Sequence, residues 1–221
     1  MKIKKLTRAL YAATLLGATG GALAVPVAWT DWTAFSGTAA TGTMAGVGVT
    51  VAAANAMNGV TQISGPCTDY WTEPDALDPA YTGGTVSNRP VACEQLGMAS
   101  ANRVTVTFGS AIDTLYMALL SVGQPGVAVT YTFDQAFTID SEGRGYWGND
   151  ATDGIQVGND LTMREFHGVL RFSAPVTSLT FSSGAENWQA FTFGTAVPEP
   201  ATLALVGAAL LGAGLSSRRR R

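Results

Sequence analysis

Between residues 25 and 196 the chain has no lysine, a single histidine and only two cysteines. Each scarcity closes off a class of function. Five arginines (Arg89, Arg103, Arg144, Arg164 and Arg171) stand against fifteen carboxylates there, giving a net charge of −10 that the whole-chain value of −3 conceals. A surface that acidic repels phosphate backbones, which excludes nucleic acid as a partner. His167 has no Gly-x-Ser-x-Gly elbow to accompany it, so a Ser-His-Asp hydrolase lacks its context and the residue reads as a partly exposed strand histidine. Two thiols are too few for a structural zinc site. Helical periodicity is also missing between the ends, apart from one short turn allowed over 94–100, and no tandem repeat is visible.

The basic residues missing from the middle are concentrated at the ends. Lys2, Lys4, Lys5 and Arg8 precede a short apolar run at 9–18, and Ala22-Leu23-Ala24 offers the small-x-small pattern that signal peptidase accepts. Residues 1–24 therefore read as a secretory signal peptide cleaved after Ala24. At the other end, Val197, Pro198, Glu199 and Pro200 precede an uncharged apolar run at 201–217 and then Arg218, Arg219, Arg220 and Arg221. The two prolines hold the four-residue motif extended. The apolar run makes about 25 Å of helix, a short transmembrane helix against a hydrocarbon core of about 30 Å. The arginine cluster acts as a cytoplasmic membrane stop, which leaves residues 25–196 outside the inner membrane.

Val-Pro-Glu-Pro, an Ala/Leu/Gly helix and a terminal arginine cluster together resemble the PEP-CTERM sorting signal. The resemblance covers 197–221 and implies recognition by exosortase, a membrane-embedded enzyme, with delivery to the cell surface or to an exopolysaccharide or biofilm matrix. Trp29-Thr30-Asp31-Trp32-Thr33 resembles the start of the mature region in many PEP-CTERM proteins of unassigned activity, and brings no catalytic residue with it.

Within 25–196 the dominant pattern has period two. Val104, Val106 and Phe108 alternate with Thr105 and Thr107, and Val127, Val129, Tyr131 and Phe133 repeat the device. Leu170 with Phe172, Leu179 with Phe181 and Phe191 with Phe193 continue it, and 47–53 and 115–120 read as further strands. Gly/Pro/Ser turns punctuate these runs, so the expected fold is all-β, an antiparallel β-sandwich of jelly-roll-like type. Cys67 and Cys93, in an exported domain, read as a disulfide. It pins a Pro/Asp/Gly-rich loop at 65–93 and stabilises by about 3 to 4 kcal/mol on the chain-entropy argument.

Candidate chemistry is sparse. Asp140, Glu142, Asn149, Asp150, Asp153, Asn159 and Asp160 alternate with glycines, a texture that suits a structural calcium ion but has no EF-hand spacing. Ordinary acidic turns are the better account of it, and no cofactor is expected. Trp29, Trp32, Tyr70, Trp71, Tyr81, Trp147 and Trp188 offer faces for sugar rings. Trp71 and Tyr81, on the disulfide-pinned loop, are the favoured stacking pair. The sequence therefore points to an exported surface or matrix protein without enzymatic activity. A carbohydrate-binding module for matrix polysaccharide is the alternative, followed by a secreted glycoside hydrolase using paired carboxylates.

Overall fold

The computed structural model describes residues 24–57, 60–147 and 154–197, and all regular structure among them is β. Residues 1–23, where a signal peptide is expected, and 198–221, with the expected membrane helix, Pro198, Glu199, Pro200 and the arginine cluster, lie outside the described residues, as do Asn149, Asp150 and Asp153. No helix among the described residues is long and apolar enough to cross a membrane.

Among the described residues fourteen strands, numbered in chain order, form two sheets. The larger runs β10 (Ile155–Val157), β11 (Asp160–Met163), β8 (Val129–Phe133), β13 (Val176–Ser183), β6 (Asn102–Ile112), β4 (Val47–Ala53), β3 (Ala39–Met44), β2 (Asp31–Phe35). The smaller runs β1 (Val27–Trp29), β14 (Gln189–Ala196), β7 (Leu115–Val122), β12 (Phe166–Phe172), β9 (Thr138–Glu142), with β5 (Leu96–Met98) also paired to β14. Every strand pairing is antiparallel. The two sheets make the expected sandwich. Its interior is filled by the inward residues of the alternating strands: Val104, Val106 and Phe108 of β6, Tyr131 and Phe133 of β8, and Leu179 and Phe181 of β13. The outward threonines pair across strands, as in the 3.1 Å contact between the Thr105 and Thr180 hydroxyls.

β7 departs from alternation: all eight of its residues are buried. Leu115, Met117 and Leu119 face the interior between the sheets. Tyr116, Ala118 and Leu120, on the other face, join a second apolar cluster with Trp71, Ala80, Tyr81 and Val86. Those last four belong to the long connection at 54–95, which lies over the outside of the smaller sheet as a third layer. Its backbone polar groups find partners along the way. Asn88 exchanges hydrogen bonds with the backbone of Val27, Asp140 accepts from the Thr85 amide and hydroxyl, and Ser141 donates to the Ala80 carbonyl at 2.7 Å. The Cys67–Cys93 disulfide closes this layer, as the sequence led us to expect.

Two local expectations are corrected, and one hairpin had not been expected. Residues 94–100 form no helical turn; Leu96–Met98 pair with β14 instead. Val127 does not face inward but is 41% exposed in the turn before β8, where its amide and carbonyl pair with Gln124. The hairpin of β2 and β3 had no clear signal, because Ala39, Ala40, Thr41 and Gly42 supply too little side chain to show a pattern.

The strand directions give the sandwich two distinct poles. β1 runs antiparallel to β14 with Val27 opposite Ala196, and the Val197 amide donates to the Pro26 carbonyl at 2.9 Å. The described chain thus begins and ends side by side at one pole. The other pole gathers the start of β14, the end of β7, the start of β12 and the end of β9.

Candidate functional site

Trp71 and Tyr81, the favoured sugar-stacking pair, are both completely buried. Their rings meet edge to face at 5.2 Å and pack on the outer face of the smaller sheet, so neither offers a face to a ligand. The expectation fails for a physical reason: a loop lying over an apolar sheet face must turn its own large apolar residues toward that face. His167 is likewise not partly exposed; it is fully buried on β12.

The exposed rings lie elsewhere. Tyr146 and Trp147, at 41% and 43% exposure, follow β9 at the pole away from the chain ends. They assemble with Tyr70 and Trp188 into one cluster. Tyr70 stacks on Trp147 at 5.5 Å and 16°, Trp188 meets Trp147 edge to face at 5.3 Å, and Tyr146 meets Tyr70 at 4.9 Å. Three of these rings were among the aromatic residues picked out from the sequence; Tyr146 was missed. Its position in Gly145-Tyr146-Trp147-Gly148 was the available signal, since paired aromatics between glycines suit an exposed turn.

Beside the cluster opens a cleft of about 280 Å³ lined by Trp147 and Trp188 with Ser121, Glu165, Glu186 and Asn187 among others. Two strained residues form its floor. Ser121 has φ 52° and Glu165 has φ 53°, a left-handed conformation that costs a residue with a Cβ about 1–2 kcal/mol. Ser121 sits where the β7–β12 ladder slips register, between the pairs Phe166–Val122 and Gly168–Leu119, and Glu165 is the residue before β12. Gly123, at φ 75°, completes the corner, because a Cβ there would collide with the Met163 carbonyl.

The hydrogen bonds under the cleft argue against a serine-histidine relay. Ser121 Oγ donates to Glu165 Oε1 at 2.7 Å, while His167 Nδ1 accepts from the Ser121 amide at 3.4 Å and faces the Tyr81 hydroxyl at 3.2 Å. An amide can only donate, so Nδ1 is the acceptor in that contact. Glu165 Oε1 lies 3.3 Å from Nε2 without reaching hydrogen-bond geometry. The serine proton thus points to a carboxylate, and the histidine props the floor. Gly145 permits this packing, since a Cβ there would overlap the imidazole ring. Burial holds the Tyr81 hydroxyl well above the usual phenol range, so it stays a neutral donor.

Two carboxyls are held above their ordinary value of 4.5. Glu186, in the cleft, is pushed to about 7 by burial, with the Glu165 charge adding and the Gly123 amide opposing. Glu94 is pushed to about 6 by burial, with the Trp32 amide opposing and Asp31 adding. A carboxyl with a raised native pKa binds its proton more tightly in the folded state. Its stabilising effect is therefore complete below pH 4.5 and is lost as pH rises through about 6 for Glu94 and about 7 for Glu186. Thermal melts between pH 4.5 and 8 should show stability falling with pH. Replacing Glu186 by glutamine should remove on the order of 1 kcal/mol of that fall, after discounting for solvent screening. Identical pH profiles for E186Q and wild type would refute this assignment.

The acidic stretch expected to suit calcium is only partly described. Among the described residues no three His, Cys, Asp or Glu side chains converge as a metal site. Asp140 instead holds Thr85 through both carboxylate oxygens.

At the opposite pole, β14 ends at Ala196 and Val197 closes the described chain. Residues 196–221 match the PEP-CTERM protein-sorting motif. The tail is a PEP-CTERM signal. A PEP-CTERM signal implies an exported protein processed by exosortase, and here it begins where the last strand stops. No curated protein and no solved structure matches the chain. The PEP-CTERM match therefore accounts for the tail alone, and the cleft must be read from its own chemistry.

Proposed function

We propose that this chain is an exosortase-sorted protein of the cell surface or extracellular matrix, whose β-sandwich serves there without catalysing a reaction. The observation that carries the reading is the sorting motif at 196–221, directly abutting a completed domain. Several features support it. A signal peptide at 1–24 would deliver residues 25–196 across the inner membrane, with signal peptidase and exosortase as successive processing partners and the tail as membrane anchor between them. The Cys67–Cys93 disulfide suits an oxidising compartment. The strained floor of the cleft directs its serine to a carboxylate rather than to the imidazole, which favours a binding role over nucleophilic catalysis. A second reading, as a carbohydrate-binding module, is favoured by the four-ring cluster, in which Tyr146 and Trp147 are exposed.

Intact mass spectrometry of protein recovered from its own host tests the processing. The mature product should begin at Val25 and end near Pro198 to Pro200. A mass that retains Arg218 to Arg221 would leave a plain membrane-anchored protein. Deleting 197–221 should redirect the protein, and an unchanged destination would overturn the sorting role.

A further inference from the structure

We propose that the cleft lined by Trp147 and Trp188 binds an uncharged sugar unit of a polysaccharide chain, stacked on the exposed indole of Trp147. The proposal deepens the second reading above, and depends on the sorting signal only for bringing the domain to where such polymers lie.

The first argument is the cost of leaving these rings in water. Most large apolar side chains of the domain are buried, yet Trp147 and Tyr146 stay more than two-fifths exposed although Tyr70 stacks on the indole of Trp147 and Tyr146, Trp188 and His167 lie around it. That mutual packing fixes the ring orientation before any ligand arrives, which lowers the entropic cost of binding. A flat, pre-oriented indole face suits the C–H faces of a pyranose ring, which are apolar while its rim is hydroxylated.

The second argument is the polar complement. Sugar hydroxyls both donate and accept. The cleft offers Glu186 and Ser121 beside the side-chain amides of Gln124 and Asn187, which are joined by one hydrogen bond at 3.2 Å. Each amide keeps further donor and acceptor capacity after that bond. The cleft has no lysine or arginine in its lining. With Glu165 and Glu186 in its walls, it disfavours uronate, sulfate and phosphate groups, so the ligand class is neutral. A volume of about 280 Å³ lies at the small end for ligand pockets, which fits one sugar unit with the chain continuing into solvent on either side. The larger cleft of about 470 Å³ near Asp78, Pro79 and Glu142 has no aromatic ring in its lining and makes no comparable platform.

The test is affinity electrophoresis of the full chain, recovered in a detergent without a sugar headgroup. Native gels would contain hydroxyethylcellulose, xylan, galactomannan or laminarin, with alginate as the polyanionic arm. At least one neutral polymer should retard the wild type, alginate should not, and Trp147→Ala should weaken retardation about tenfold. Trp147→Ala also removes ring contacts with Tyr70 and Trp188, so its melting profile is compared with that of the wild type and should still show a single cooperative transition. If it does not, Asn187→Ala replaces it, with a loss of several-fold expected. Failure of all four neutral polymers, retardation by alginate alone, or a Trp147→Ala variant that binds like wild type would each overturn the proposal. None of these outcomes bears on where the protein is sorted, so the two readings fail separately.

Discussion

Trp71→Ala should lower the unfolding free energy by about 3–5 kcal/mol, the range for truncating a fully buried aromatic residue. The indole is completely buried against the outer face of the smaller sheet, with Tyr81 at its edge. Its N–H has no acceptor among the described residues. Truncation therefore also removes a desolvated donor, which places the expected loss at the lower end of the range. For a domain of this length that corresponds to a fall in Tm of about 10 °C, measurable by urea or thermal unfolding. Binding to polysaccharide, measured on the fraction that remains folded, should be unchanged, because the ring never meets solvent. A loss below about 1 kcal/mol, within the range of surface substitutions, would mean that the loop does not cover the sheet as described.

Removing both cysteines, Cys67→Ala with Cys93→Ala, should cost about 3 kcal/mol. The bridge spans a sequence separation of 26 residues, and those residues include Trp71, Tyr81 and Val86 of the outer cluster. The loss should appear first as faster amide exchange over 60–95, before the two sheets themselves open. Combined with Trp71→Ala the effects should fall short of additive, since both loosen the same layer. Strict additivity would show the loop and the disulfide to be energetically independent.

The sequence revealed the sandwich where strands bury one face. β6, β8 and β13 could be read because threonine and serine alternate with apolar residues. It was harder to see that the smaller sheet is covered on both sides. The signal was present in Leu115 to Leu120, six residues without a polar break, and such a run implies burial on both faces. Reading that implication through would have required a covering layer, and the disulfide-pinned loop was the available candidate. Trp71 and Tyr81 would then have been placed inward. The site was illegible for a different reason: its members come from 70, 121–124, 146–147, 165 and 186–188, five separate segments that meet only where the covering loop and two strand connections converge on the irregular β7–β12 corner. Spacing along a chain carries no trace of such a convergence.

The pairing of β1 with β14 also sets an orientation. Trp188 precedes the first residue of β14, and the sorting tail follows the last. An eight-residue strand is about 25 Å long, so the aromatic rings and the tether sit at opposite ends of one rigid rod. Whatever holds the chain beyond Ala196 is therefore kept about one strand's length from Trp188, so the aromatic cleft stays clear of the point of attachment.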